Sequence, residues 1–154
     1  MLRRLPHLVV LAVVGASSVA CSSSTTSRSV DACSTLDGRA VAAITGWKVD
    51  DGLAETVPNG TACVWRDGDD DAVAVTVGDA GSASELDVTI TDSTAHLGPS
   101  ADLHVAGATR AVEFPDDGLI EMAVGGRLVT VQQRGVVETG PVHARLADAV
   151  ARGM

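Results

Sequence analysis

The chain has few aromatic and few basic residues, and each shortage excludes a class of partner. Of its 154 residues only Trp47, Trp65 and Phe114 are aromatic. So few rings leave little surface on which nucleic-acid bases could stack. Lysine and arginine together number 11 against 20 acidic residues, which gives a formal net charge of −9. Nucleic-acid binding needs a basic face that replaces phosphate counterions, so the composition argues against a nucleic-acid partner.

Long apolar runs are also missing, and the one short run lies in an export signal. Residues 8–16 are apolar, whereas a membrane-spanning helix needs about 20 such residues. Arg3 and Arg4 precede this run, and small residues follow it up to Cys21. A basic start, a short apolar middle and a small-residue exit make a secretory signal peptide, which predicts removal of residues 1–20. Loss of the two arginines would shift the net charge from −9 to −11.

The exit of this signal has two interpretations. Residues 19–21 (VAC) have the form of the end of a bacterial lipobox, in which Cys21 is lipidated and becomes the first residue of the mature chain. Ser18 replaces the large aliphatic residue usual three places before that cysteine, and residues 18–20 also fit a cleavage that releases a soluble secreted protein. The cysteine count favours lipidation, because an unmodified Cys21 would leave a free thiol in an exported protein. Residues 22–30 are rich in serine and threonine and predict a flexible tether.

The other two cysteines, Cys33 and Cys63, predict a disulfide bond. Exported proteins fold in an oxidising compartment, where paired cysteines form disulfides. The alternative, a metal or redox site, lacks both a Cys-x-x-Cys spacing and a neighbouring histidine. Trp65 follows Cys63 by two residues in a strand pattern, so it shares a face with that cysteine and is expected to pack against the bridge.

The hydrophobic pattern predicts a single α+β domain over residues 31–154, with a mostly antiparallel sheet and a helix packed on it near each end of the domain. Apolar residues at helical spacing predict helices over 34–45 and 140–153. Alternation of apolar and polar residues predicts strands over 61–66, 72–77, 85–91, 109–114, 119–124 and 127–133. The polar segment 50–60, which contains proline and Asn-Gly, predicts a loop.

Residues 67–71 (DGDDD) begin like a calcium-binding loop. The sixth position is Ala72, where the turn of such a loop needs glycine, and the twelfth is Gly78, where a bidentate glutamate belongs. We therefore expect a solvated hairpin turn and no metal site.

The histidines of the mature chain are candidates for chemistry, but their spacing argues against it. His96, His104 and His143 show no metal-ligand spacing, and we expect them on the surface. Asp102 and His104 are the closest acid–histidine pair, and no Gly-x-Ser-x-Gly elbow accompanies them. The sequence thus predicts no catalytic residue and no cofactor.

Several segments together resemble a known family. Residues 31–36 (DACSTL) and 60–65 (GTACVW) resemble the Cys-Ser-x-Leu start and the downstream Cys-x-Trp of actinobacterial lipoproteins that are grouped as a domain of unknown function. Residues 105–111 and 125–131 resemble a glycine-containing segment and a return strand of the same family. The resemblance implies a lipid-anchored α+β domain in the cell envelope, and it carries no catalytic residues.

The sequence is thus typical of a non-catalytic lipoprotein on the outer face of the cytoplasmic membrane. We expect its partners to be the membrane, through the lipid on Cys21, and an envelope protein or small ligand. Two alternatives stay open: a small envelope hydrolase or accessory factor, and a structural subunit of an envelope assembly. A hydrolase needs converging catalytic groups in a cleft, and a subunit needs an exposed apolar patch.

Overall fold

The fold is known from a computed structural model that describes residues 29–135 and 140–154, so the predicted signal, Cys21 and most of the tether lie outside it. Three helices, α1 (Gly38–Thr45), α2 (Ala83–His96) and α3 (Pro141–Gly153), accompany a seven-stranded sheet. The strands are β1 (Leu53–Val57), β2 (Gly60–Asp67), β3 (Asp71–Ala80), β4 (Ala101–Asp102), β5 (Ala108–Phe114), β6 (Leu119–Val124) and β7 (Arg127–Arg134). Their order is β1-β2-β3-β7-β6-β5-β4, and every neighbouring pair is antiparallel. The predicted α+β class, with a helix near each end, is confirmed.

The predicted disulfide bond joins Cys33 to Cys63, with their Cα atoms 5.0 Å apart. It ties a short 3₁₀ turn before α1 to the middle of β2. The Thr61 hydroxyl strengthens the same junction, because it donates to the Val30 carbonyl oxygen at 2.7 Å and accepts from the Ala32 backbone N–H at 3.0 Å. The segment before α1 is therefore fixed to the sheet covalently and by hydrogen bonds.

Trp65 is buried beside this bridge, on the strand face where its spacing from Cys63 places it. Gly52 shows how closely the chain packs here. A Cβ atom at that position would overlap Cys63 Sγ and lie 2.7 Å from Trp65 Nε1. Contacts this short are not seen for real side chains, so only glycine fits over the bridge and the indole ring.

The first face of the sheet carries the main core, under α1 and α3. Val73, Val75 and Val77 of β3 are fully buried there, as their alternation predicts. The helices contribute Val41 from α1 and Leu146 from α3, together with their apolar neighbours. This face is covered because two amphipathic helices lie on it.

The second face is covered by α2, which occupies the segment predicted to be a strand. The prediction for residues 85–91 is wrong, because Leu86 and Ile90 pack on Phe114 as helix neighbours four positions apart. Val88, which alternation would have buried with them, is 66% exposed. A capping box starts this helix: the Ser82 hydroxyl accepts from the Glu85 backbone N–H, and the Glu85 carboxylate accepts from the Ser82 backbone N–H.

Two further boundaries differ from the sequence prediction. The first helix begins at Gly38 and not at residue 34, because the Asp37 carboxylate accepts from the Ala40 backbone N–H at 2.7 Å and forms the N-cap. The predicted loop 50–60 contains β1, an edge strand that is mostly exposed. Its sparse apolar residues gave no alternation from which a strand could be inferred.

The α2 assignment predicts unequal effects of two truncations. Ile90→Ala should lower the free energy of unfolding by about 2–5 kcal/mol, because it leaves a cavity under the helix. Val88→Ala, at an exposed site of the same helix, should change it by no more than about 0.5 kcal/mol. Urea denaturation followed by circular dichroism measures both values. Similar losses from the two variants would indicate a strand in which both side chains share one face.

Candidate functional site

The cysteines that the sequence singled out divide between the described and undescribed parts of the chain. Cys33 and Cys63 form the bridge, and Cys21 lies outside the described residues. A disulfide of this kind is typical of proteins that fold outside the reducing cytoplasm. Among the helices described, none is long and apolar enough to span a bilayer.

The histidines do not all lie on the surface. His96 and His104 are exposed, as predicted, but the prediction for His143 is wrong, because this residue of α3 is buried, with its side chain only 1% exposed. Its Nδ1 lies 2.8 Å from Glu113 Oε1, on β5. The residues that α3 presents to the core, at spacings of three and four, include His143 together with Leu146. The contact between His143 and Glu113 therefore joins the start of α3 to the sheet, on the first face and away from solvent.

The acidic turn lies between β2 and β3, where Asp67 pairs with Asp71 across the ladder. The Asp67 carboxylate accepts from the Lys48 backbone N–H at 3.0 Å. Within residues 29–135 and 140–154, no three histidine, cysteine or acidic side chains are grouped so that they could hold a metal ion.

Glu121 is a buried acid that the sequence analysis did not single out. It lies on β6, on the second face of the sheet beside α2, and is 7% exposed. Burial raises the pKa of this carboxyl, and the Ser93 hydroxyl of α2 offsets part of that rise. Its Oε2 has no hydrogen-bond partner among the residues described. The acid is therefore enclosed where α2 meets the sheet.

An open groove occupies the part of the second face that α2 does not cover. Its floor consists of Val64 from β2 with Ala72, Ala74 and Thr76 from β3. The alanines have only a Cβ, so the floor lies low, and the depression encloses about 210 Å³. We call this surface the open groove.

Charged residues stand at the two ends of the open groove. Arg66 and Arg134 pair with Ala72 from its two sides, on β2 and β7. Glu55 pairs with Ala62, four residues before Arg66 on β2. Because strands rise about 3.3 Å per residue, these two ends are about 13 Å apart. The groove is therefore an apolar channel with basic side chains at one end and an acidic side chain at the other.

Sequence reasoning missed this site because it depends on strand order. Arg66 and Arg134 are far apart in the chain and meet only because β3 lies between β2 and β7. Alternation correctly placed Val73 and Val75 on the opposite, buried face, but it could not show which strand would follow β3 in the sheet. The small residues Ala72 and Ala74 were the available signal, since larger side chains would fill the groove.

No protein-family model, curated protein or solved structure matches the chain. The geometry of the described residues is therefore the main basis for a functional proposal.

The buried acid predicts a specific dependence of stability on pH. Because the pKa of Glu121 is raised above 4.5 in the folded state, the stability linked to it is fully present below that pH. This stability is lost as the pH rises through the raised value. Glu121→Gln cannot ionise. The free energy of unfolding of this variant, relative to that of wild type, should therefore be higher at neutral pH than at about pH 4. Urea denaturation at both pH values measures this change.

Glu85→Gln is the matched control, with the opposite sign. Hydrogen bonds from Ser82, first its side chain and then its backbone, lower the pKa of Glu85 below 4.5. That contribution is present above 4.5 and lost as the pH falls, so this variant should lose stability relative to wild type mainly at neutral pH. If Glu121→Gln and Glu85→Gln changed stability with the same pH dependence, the burial of Glu121 would be contradicted.

Proposed function

We propose that this chain is a lipid-anchored, non-catalytic binding protein of the cell envelope, which holds a ligand or partner in the open groove. The observation that carries this proposal is the groove itself, an apolar channel with charged ends on an otherwise helix-covered sheet. Binding sites are commonly concave and apolar, with a few polar groups that fix orientation. The open groove has this composition.

The anchor is supported by the N-terminal pattern and by the cysteine count. The disulfide uses Cys33 and Cys63, so Cys21 is left as the single cysteine at the end of an export signal. The resemblance to actinobacterial lipoproteins supports the same location, on the outer face of the cytoplasmic membrane. The serine- and threonine-rich residues 22–30 would give the domain a short tether from its lipid.

Recognition is favoured over catalysis by where the reactive side chains lie. Glu113 and His143 form the closest contact between an acidic side chain and a histidine in the described structure. This contact is buried between α3, which carries His143, and the first face of the sheet. The open groove, on the second face, is lined by two arginines, one glutamate, the polar side chains of Thr76 and Gln132, and small apolar side chains. Such groups hold and orient a ligand. Among the residues that the structure describes, the lining offers its one carboxylate no histidine, cysteine or second acid with which it could carry out paired acid–base or nucleophilic chemistry.

A second candidate function, a subunit of an envelope assembly, is favoured by the β1 edge. Leu53 is 62% exposed and pairs with Val64, so both side chains lie on the second face. An edge strand offers unpaired backbone groups to another chain. A partner protein that extended the sheet at β1 would also cover the open groove.

In-cell photo-crosslinking tests the proposed function. A photo-reactive amino acid replaces Glu55 at the rim of the open groove, or Val88 on the exposed side of α2 as a matched control. We expect one defined adduct from position 55 in the membrane fraction and none from position 88. Equal adducts from both positions, or none from position 55, would contradict binding in the groove.

A further inference from the structure

Arg66 and Arg134 are placed to act together at one end of the open groove. Both pair with Ala72 in register, so all three side chains lie on the same face of the sheet. Neighbouring strands are about 4.8 Å apart, which puts the two arginine backbones about 10 Å from each other. Ala72 between them carries only a methyl group, lines the groove and is 6% exposed.

The side chains of these two arginines are also exposed, so their charges can contact a ligand. Neither forms an ion pair with a residue that the structure describes, and the nearest polar contact of Arg134 is a long one, 3.4 Å to Gln132 Oε1. In contrast, Arg110 donates to the Asp87 carboxylate and to the Thr91 hydroxyl, which holds α2 to β5.

Asp67 and Asp71, which begin and end the acidic turn between β2 and β3, belong to the opposite face of the sheet from the arginine pair. Side chains two residues apart on a strand share a face, so Asp67 lies on the face of Trp65 and Asp71 on the face of Val73. This is the first face of the sheet. Arg66 alternates with them and belongs to the second face. The two arginines, which form no ion pair within residues 29–135 and 140–154, therefore place positive charge on the second face of the sheet.

We propose that the open groove binds a small amphiphile with a single carboxylate, whose head group lies between Arg66 and Arg134 and whose apolar body lies on Val64 and Ala74. This inference rests on the proposed function and specifies its ligand class. The planar guanidinium matches a carboxylate with two parallel hydrogen bonds. Ala72 allows the head group to approach the sheet between the two forks.

The rest of the groove determines the orientation and size of this ligand. Glu55 at the far end repels a second acidic group, so a ligand with one carboxylate binds with its head at the arginines. The chain's net negative charge opposes a dianion such as an alkyl phosphate more strongly than a monoanion. The groove volume of about 210 Å³ is small, which favours a ligand with a short alkyl chain.

Four probes of equal chain length test the head group: hexanoate, hexan-1-ol, hexylamine and the dianion hexyl phosphate. The mature chain carries Cys21→Ser so that it is handled without detergent. Methyl signals of Ala72 and Ala74 report binding by nuclear magnetic resonance, and the buried Ala147 of α3 is the reference. We expect hexanoate to bind about tenfold more tightly than hexan-1-ol, because hydrogen bonds to charged groups are the stronger ones.

Substitutions test the assignment to the two arginines. Arg66→Gln and Arg134→Gln should each weaken hexanoate binding about tenfold, and added salt should weaken binding to the wild type. Arg39→Gln removes the same charge from an exposed position on α1 and should leave binding unchanged. Equal affinity for hexanoate and hexan-1-ol, tighter binding of hexyl phosphate, equal losses in all three variants, or no shift at Ala72 and Ala74 would overturn the proposal.

The outcomes separate this inference from the proposed function. If position 55 gives its defined crosslink but hexanoate does not bind, the groove binds another class of partner and the carboxylate inference alone fails. If neither the crosslink nor a methyl shift is seen, both fail.

Discussion

The Cys33–Cys63 disulfide is the interaction on which the rest of the structure depends. It links the segment before α1 to β2, and the closely packed Gly52 and Trp65 lie against it. Closing a loop of this size stabilises a fold by about 3–4 kcal/mol in the chain-entropy description. The bond also decides how the remaining cysteine can be used, because it leaves Cys21 as the one cysteine available for a lipid. The compartment and the fold are therefore linked through the same bond.

Unequal covering of the sheet is what links the fold to the proposed function. Two helices lie on the first face, whereas α2 alone lies on the second and rests on β5 and β6. The strands β1, β2, β3 and β7 therefore keep an open surface on that side. Small side chains on β3 make this surface concave, and Arg66 and Arg134 stand at one of its ends. Depth combined with a few charged groups is the composition of many ligand sites, and this is what the proposed function rests on.

The sequence allowed the central strands and the bridge to be predicted, because β3 alternates cleanly and exported cysteines pair. It failed where local patterns were ambiguous. Leu86, Val88 and Ile90 fit a strand and a helix equally over so short a window, and the Ser82–Glu85 capping box was the signal that distinguished them. Burial of His143 followed from the apolar face of α3, which its spacing to Leu146 could have indicated. The arginine pair needed the strand order, which no local pattern contains.

Mass spectrometry of the mature protein from native membranes tests the central claim, that one cysteine carries the lipid and two form the bridge. The account predicts an N-terminal peptide that begins at a diacylglycerol-modified Cys21. It also predicts, without reduction, a linked pair of peptides that contains Cys33 and Cys63. An unmodified Cys21, or a disulfide that includes it, would contradict the account.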